Sequence, residues 1–133
     1  MVLPGVQALF GFQLIATFSA GFDAMLSPLE QRIHLVALAC VAVAGALIMT
    51  PAALHRQSGP REASDWLLRV AGRLLLCSMP PLMAGIGLDF YLIANIILDD
   101  HRTAVISAIA LVAFFATCWF ALPHSYRRRR SGR

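Results

Sequence analysis

One carboxylate in this sequence stands where a carboxylate is hard to keep. Asp89 lies in the apolar run Leu82-Met83-Ala84-Gly85-Ile86-Gly87-Leu88-Asp89-Phe90-Tyr91-Leu92-Ile93-Ala94, and it is the one acid far from any predicted helix end. A charge at the centre of hydrocarbon costs about 2.5–3.5 kcal/mol on insertion scales, so Asp89 must be protonated, paired or in contact with water. A partner is available. Asp89 lies nine residues before Leu98, and His34 lies six residues after Pro28, so the two enter from one side to depths of about 14 and 9 Å. An Asp89–His34 contact is therefore feasible, and histidine is the side chain whose ordinary charge change falls near neutral pH. Glu30, one turn before His34, would extend such a pair toward the surface. Two chemistries follow. In the first, Asp89, His34 and Glu30 form a proton or cation site of a small carrier. In the second, Asp89 hydrogen-bonds a neighbouring helix, through Gln13, Asn95 or backbone freed by Pro80 and Pro81, and sets packing register.

Other reactive residues carry less. Asp99, Asp100 and His101, with Glu30 or Asp23, are the nearest thing to a metal set. Consecutive residues at a helix end point in different directions, and capping accounts for them, so no metal is expected. Cys40, Cys77 and Cys118 each stand alone in an apolar run and read as small core residues. There is no G-x-S-x-G, no H-E-x-x-H and no phosphate loop, and no enzymatic activity or cofactor is predicted.

The elements that hold these residues are helical. The 133-residue chain is 59% hydrophobic and 14% charged, with a mean hydropathy of +0.71, whereas a soluble domain is roughly half apolar and about a quarter charged. These values describe an all-α integral membrane protein, one domain of four transmembrane helices in an antiparallel bundle. The helices are predicted at about 5–23, 28–54, 64–98 and 101–122, followed by a basic tail over 123–133. Gln7 and Gln13 in the first are suited to interhelical hydrogen bonds. Ser27-Pro28-Leu29-Glu30 has the form of a capping box with proline at the first helical position, which starts the second helix. Within that helix Cys40/Ala44 and Ala42/Ala46 offer small faces for close contact. Gly59-Pro60 marks the turn between the second and third helices.

The third helix opens with Asp65, Arg69 and Arg73 on one face, a pattern suited to the headgroup layer. Pro80 and Pro81 remove two backbone donors, so a kink or local unwinding is expected there. Pro81, Gly85 and Asp89 share one face. Asp100 is placed to cap the fourth helix, Trp119 lies near its end as an interface aromatic, and Arg127, Arg128, Arg129 and Arg130 follow. Anionic lipid headgroups are the expected contacts of Arg69, Arg73 and the four tail arginines, at roughly 1 kcal/mol each. Nucleic acid is not an expected partner.

Nine arginines fall on the side of the second loop and the tail, and two, Arg32 and Arg102, fall opposite. The positive-inside rule then places both termini in the cytoplasm. Four helices enclose little room for a water path, so a carrier would have to be an oligomer, and an accessory role would require a partner membrane protein.

Leu3-Pro4-Gly5-Val6-Gln7, the P-x-x-x-H-R exit of helix two at Pro51 to Arg56, and Trp119-Phe120-Ala121-Leu122-Pro123 together resemble a family of small bacterial four-helix membrane proteins of unknown function. Members of that family often carry Tyr at the position of Leu54, Asn at that of Gly72 and a charged segment before the LPGVQ motif. The resemblance implies a multi-pass protein of the bacterial inner membrane and supplies no activity. The role expected from the residues is non-enzymatic, whether structural, accessory or sensing, with the Asp89 carrier as the alternative.

Overall fold

The structure, a computed structural model, describes residues 3–57 and 65–121. The loop at Gly59-Pro60 and the tail arginines Arg127 to Arg130 lie outside the described residues. Within them the chain is all helical: α1 Leu3–Thr17, a single turn α2 Phe22–Met25, α3 Pro28–Gln57, α4 Asp65–Leu98 and α5 His101–Ala116, the last continuing as a π-helical turn over Thr117–Ala121. No strand occurs among the described residues.

Local chemistry sets the helix ends. The capping box forms: the Ser27 backbone N–H donates to Glu30 Oε2 at 2.8 Å, and the Glu30 N–H donates to Ser27 Oγ at 3.4 Å. α4 and α5 are joined by two residues. Asp99 adopts a left-handed conformation, φ 48°, that ends α4, and its N–H bonds the Asn95 carbonyl at 3.1 Å. Aspartate is among the few residues with a side chain that tolerate this region. Asp100 is extended and caps α5 by accepting from the backbone N–H groups of Arg102 and Thr103. Tyr91 and His101 then close the hairpin, with the hydroxyl 3.1 Å from His101 Nδ1.

Neighbouring helices run antiparallel: His34 on α3 meets Asp89 on α4, and Glu30 meets Asn95. Small residues permit the contact. A Cβ on Gly85 would stand 2.7 Å from Val41 Cγ2 and 2.9 Å from the Ala37 carbonyl oxygen, and one on Gly87 would stand 2.5 Å from Val112 Cγ2. The face of α3 that is used is Ala37, Val41 and Ala44, all fully buried. Ala42 and Ala46 face outward instead. Val6, Val41, Ala44 and Leu82 form the core, and Trp119 packs against it.

The exterior is apolar. Phe12, Phe18 and Ile97 are 70%, 85% and 73% exposed. Three helices, Pro28–Arg56, Asp65–Leu98 and His101–Ala121, are long and apolar enough to cross a membrane, which suggests membrane association.

Two expectations are corrected. The first helix does not reach residue 23. It ends at Thr17, after 15 residues, or about 22 Å, where Thr17 Oγ1 turns back onto the Gln13 carbonyl and Phe18, Ser19 and Phe22 make turn-type bonds. Of the kink or local unwinding expected in the third predicted helix, local unwinding does not occur at its prolines. α4 is continuous through Pro80 and Pro81, because missing two donors leaves the hydrogen bonds on either side to hold the helix.

Candidate functional site

Three helices bring polar side chains to one point. Gln13 comes from α1, His34 from α3 and Asp89 from α4. His34 Nδ1 lies 3.0 Å from Asp89 Oδ1, and the Gln13 side-chain amide donates to Asp89 Oδ2. Both carboxylate oxygens therefore have a partner from a different helix. Gln13 is 5% exposed and His34 8%, and the Asp89 side chain retains 15% of its surface. The Phe22 ring meets His34 edge-on at 5.4 Å and walls off that side.

The far side of the imidazole is also accommodated. His34 Nε2 lies 3.2 Å from Thr17 Oγ1 and 3.3 Å from the Gln13 carbonyl oxygen. A protonated ring would donate from Nδ1 to Asp89 and from Nε2 to these oxygens. A neutral ring would donate from Nδ1 and accept at Nε2 from the Thr17 hydroxyl, if that hydroxyl turned its proton away from the Gln13 carbonyl oxygen to which it now donates. Both forms are thus hydrogen-bonded without moving a helix. The turn that ends α1 at Thr17 is what puts this hydroxyl in place.

One atom of the cluster is left over. Among the described residues, Gln13 Oε1 is buried with no hydrogen-bond partner. Gln13, His34 and Asp89 also line a cavity of about 350 Å³, otherwise walled largely by apolar side chains of α1, the α2 turn and α4.

Glu30 is not part of this cluster. The expected extension from His34 through Glu30 is replaced by another contact: Asn95 Nδ2 donates to Glu30 Oε1 at 2.8 Å, while Oε2 is taken by Ser27. Capping draws the carboxylate toward the helix start and away from His34. Arg69 and Arg73 are exposed near the start of α4, and the Arg69 Nε–H donates to the Asp65 backbone oxygen at 3.2 Å. Asp100 and His101 point apart, one to the α5 cap and the other to Tyr91. Asp100 is held below the usual carboxylate range, first by the Thr103 hydroxyl and then by the Thr103 and Arg102 N–H groups.

The sequence reading named Asp89 and His34 as a pair and offered Gln13 only as a packing contact. Thr17 was missed. The signal was present in the four-residue spacing of Gln13 and Thr17, which places both on one face of α1.

The profile of a family of unknown function, DUF6328, matches residues 1–123. The chain belongs to the DUF6328 family. No curated protein and no solved structure matches it. The DUF6328 match covers all of the described helices, and with them every member of the Gln13–His34–Asp89 cluster.

Proposed function

We propose that this DUF6328 member is a non-enzymatic, multi-pass protein of the bacterial cytoplasmic membrane that couples proton exchange at Asp89 and His34 to occupancy of the adjoining cavity, as a small proton- or cation-coupled carrier. The observation that carries this reading is the buried Asp89–His34 pair on the wall of a cavity, with hydrogen-bonding partners on hand for both protonation states of the ring. A buried ionisable residue in a membrane segment marks a functional site by default. α1, α3, α4 and α5 are read as four spans, with both termini in the cytoplasm from the arginine asymmetry and a bend where Pro80 and Pro81 lack donors. The cluster then lies in the outer half of the membrane. Arg69, Arg73 and the tail arginines face anionic headgroups on the inner side.

Transport by so few helices requires an oligomer. Crosslinking in native membranes should trap a dimer or larger assembly, and monomer alone would remove the carrier reading. The direct test is proton uptake by proteoliposomes under an imposed pH gradient, with wild type beside Asp89→Asn at matched reconstitution. Flux that vanishes in a still-helical mutant is the expected result. Absence of flux in both would leave the cluster as a packing clasp, a second reading favoured by the protein partner that each Asp89 oxygen already has on another helix. In that case the protein's role is structural, accessory or sensing.

A further inference from the structure

The acceptors around His34 fix where its protons lie. Thr17 Oγ1 donates to the Gln13 carbonyl at 3.0 Å, so the two oxygens near His34 Nε2, Thr17 Oγ1 at 3.2 Å and that carbonyl at 3.3 Å, both turn lone pairs toward it. Nε2 therefore carries a proton. On the other side of the ring, Nδ1 lies 3.0 Å from Asp89 Oδ1, a contact that holds only with a proton between the two atoms. This is the loaded form of the pair, either imidazolium beside carboxylate or neutral ring beside carboxylic acid. Loss of one proton to water leaves a carboxylate and a ring with a single N–H. That hydrogen stays on Nδ1, because a bare nitrogen there would face the carboxylate oxygen. Nε2 becomes an acceptor, and the backbone carbonyl beside it has no hydrogen to give. Only the Thr17 hydroxyl can donate to it, and to do so it must leave the Gln13 carbonyl. Among the described side chains, Asp89 is the titratable group bonded to the ring: α1 supplies Gln13 and Thr17, the α2 turn supplies Phe22, and Glu30, on the same helix as His34, is held by Ser27 and Asn95.

We propose that the Thr17 hydroxyl couples proton occupancy of the Asp89–His34 pair to the wall of the cavity, turning from the Gln13 carbonyl to His34 Nε2 when the pair gives up its proton. The inference deepens the proton-exchange reading and rests on it. Its place in the chain gives the turn a consequence. Thr17 is the last residue of α1, and its bond to Gln13 ties the final turn of that helix. Beyond it the backbone is held by turn-type bonds, from the Phe18 N–H to the Leu14 and Ile15 carbonyls at 3.3 and 3.2 Å and from the Ser19 N–H to the Ala16 carbonyl at 3.1 Å. Ala16, Ser19, Gly21 and Phe22 of this same segment line the cavity. Release of the hydroxyl removes a side-chain tie at a helix end, where backbone bonds are fewest. The loaded pair holds the end of α1, and the unloaded pair loosens it.

The test is a pH titration by NMR of isotope-labelled protein in lipid nanodiscs, read at the His34 ring nitrogens, identified by their loss in His34→Gln, and at the backbone amides of Thr17, Phe18 and Ser19. In wild type, Nε2 should pass from protonated to bare as pH rises, with the remaining proton on Nδ1, and the three amides should move with the same midpoint. Thr17→Val keeps the branched shape and removes the hydroxyl. In it the pair should still titrate while the amides lose that response, and Thr17→Ser should restore it. A merely structural threonine would instead displace those amides by a constant amount at every pH. The wild-type titration needs no variant, so misfolding of a mutant does not shield the proposal. Amides that do not follow the ring, a protonation of Nε2 that never changes, or a response that persists in folded Thr17→Val would overturn it. Coupled movement without proton flux in proteoliposomes would refute the carrier while leaving this device standing, and flux with an α1 end indifferent to pH would refute the device alone.

Discussion

The close approach of α3 and α4 at Gly85 should control both stability and the geometry of the polar cluster one turn away. In Gly85→Ala the added Cβ would stand 2.7 Å from Val41 Cγ2 and 2.9 Å from the Ala37 carbonyl oxygen, several tenths of an ångström inside ordinary contact. Neither neighbour yields easily. The Ala37 oxygen is backbone within a helix, and valine is stiff at χ1. The helices must part, at a cost of about 1–3 kcal/mol by comparison with other overpacked cores. Alanine also improves helix propensity by about 1 kcal/mol, which partly hides the clash. Gly72→Ala removes that ambiguity, because it makes the same exchange in the same helix at a site with nothing within 4 Å. The difference between the two variants should therefore be the clash itself, about 1–3 kcal/mol. Equilibrium unfolding by SDS titration in mixed micelles, followed by helical circular dichroism, measures it. A parallel readout is the His34 ring, whose Nδ1 now lies 3.0 Å from Asp89 Oδ1 and should lose that bond when α3 and α4 separate. If Gly85→Ala proves as stable as Gly72→Ala, the close approach described here is wrong.

Two further outcomes are expected. In a double-mutant cycle, Asp89→Ala and His34→Ala should couple by about 0.6 kcal/mol, the average for hydrogen bonds between membrane helices, and by no more than about 1.7, and strict additivity in SDS unfolding would show that the pair makes no bond worth measuring. Asp100 should titrate below the ordinary aspartate range because Thr103 and Arg102 donate to its charged form. Its folded value is thus depressed, so its capping contribution is complete above the unfolded value and is lost as pH falls through the folded one. The amide resonances of Arg102 and Thr103 should report that transition, and it should be absent in Asp100→Asn.

The sequence by itself determined what depends on local pattern and composition. Helical class follows from the long apolar runs, the start of α3 from Ser27-Pro28-Leu29-Glu30, and the start of α5 from Asp100, because capping involves only residues within one turn. The pairing of Asp89 with His34 was also legible, since two antiparallel helices entered from one side leave a buried acid and a histidine at comparable depth. Tertiary structure decided the rest. Glu30 was read as an extension of His34, but a carboxylate within reach of both its own cap and Asn95 takes those nearer bonds. The early end of α1 was hidden because Phe18 to Phe22 is apolar enough to pass for more helix, whereas the chain turns there and α1 packs against α3. The same packing turns Gln13 and Thr17 from polar interruptions of a hydrophobic run into ligands of His34 and Asp89. Spacing along one helix shows which residues share a face. Which face meets which neighbour, and at what rotation, is set by close approaches such as Gly85 on Val41, which involve residues 44 positions apart in the chain.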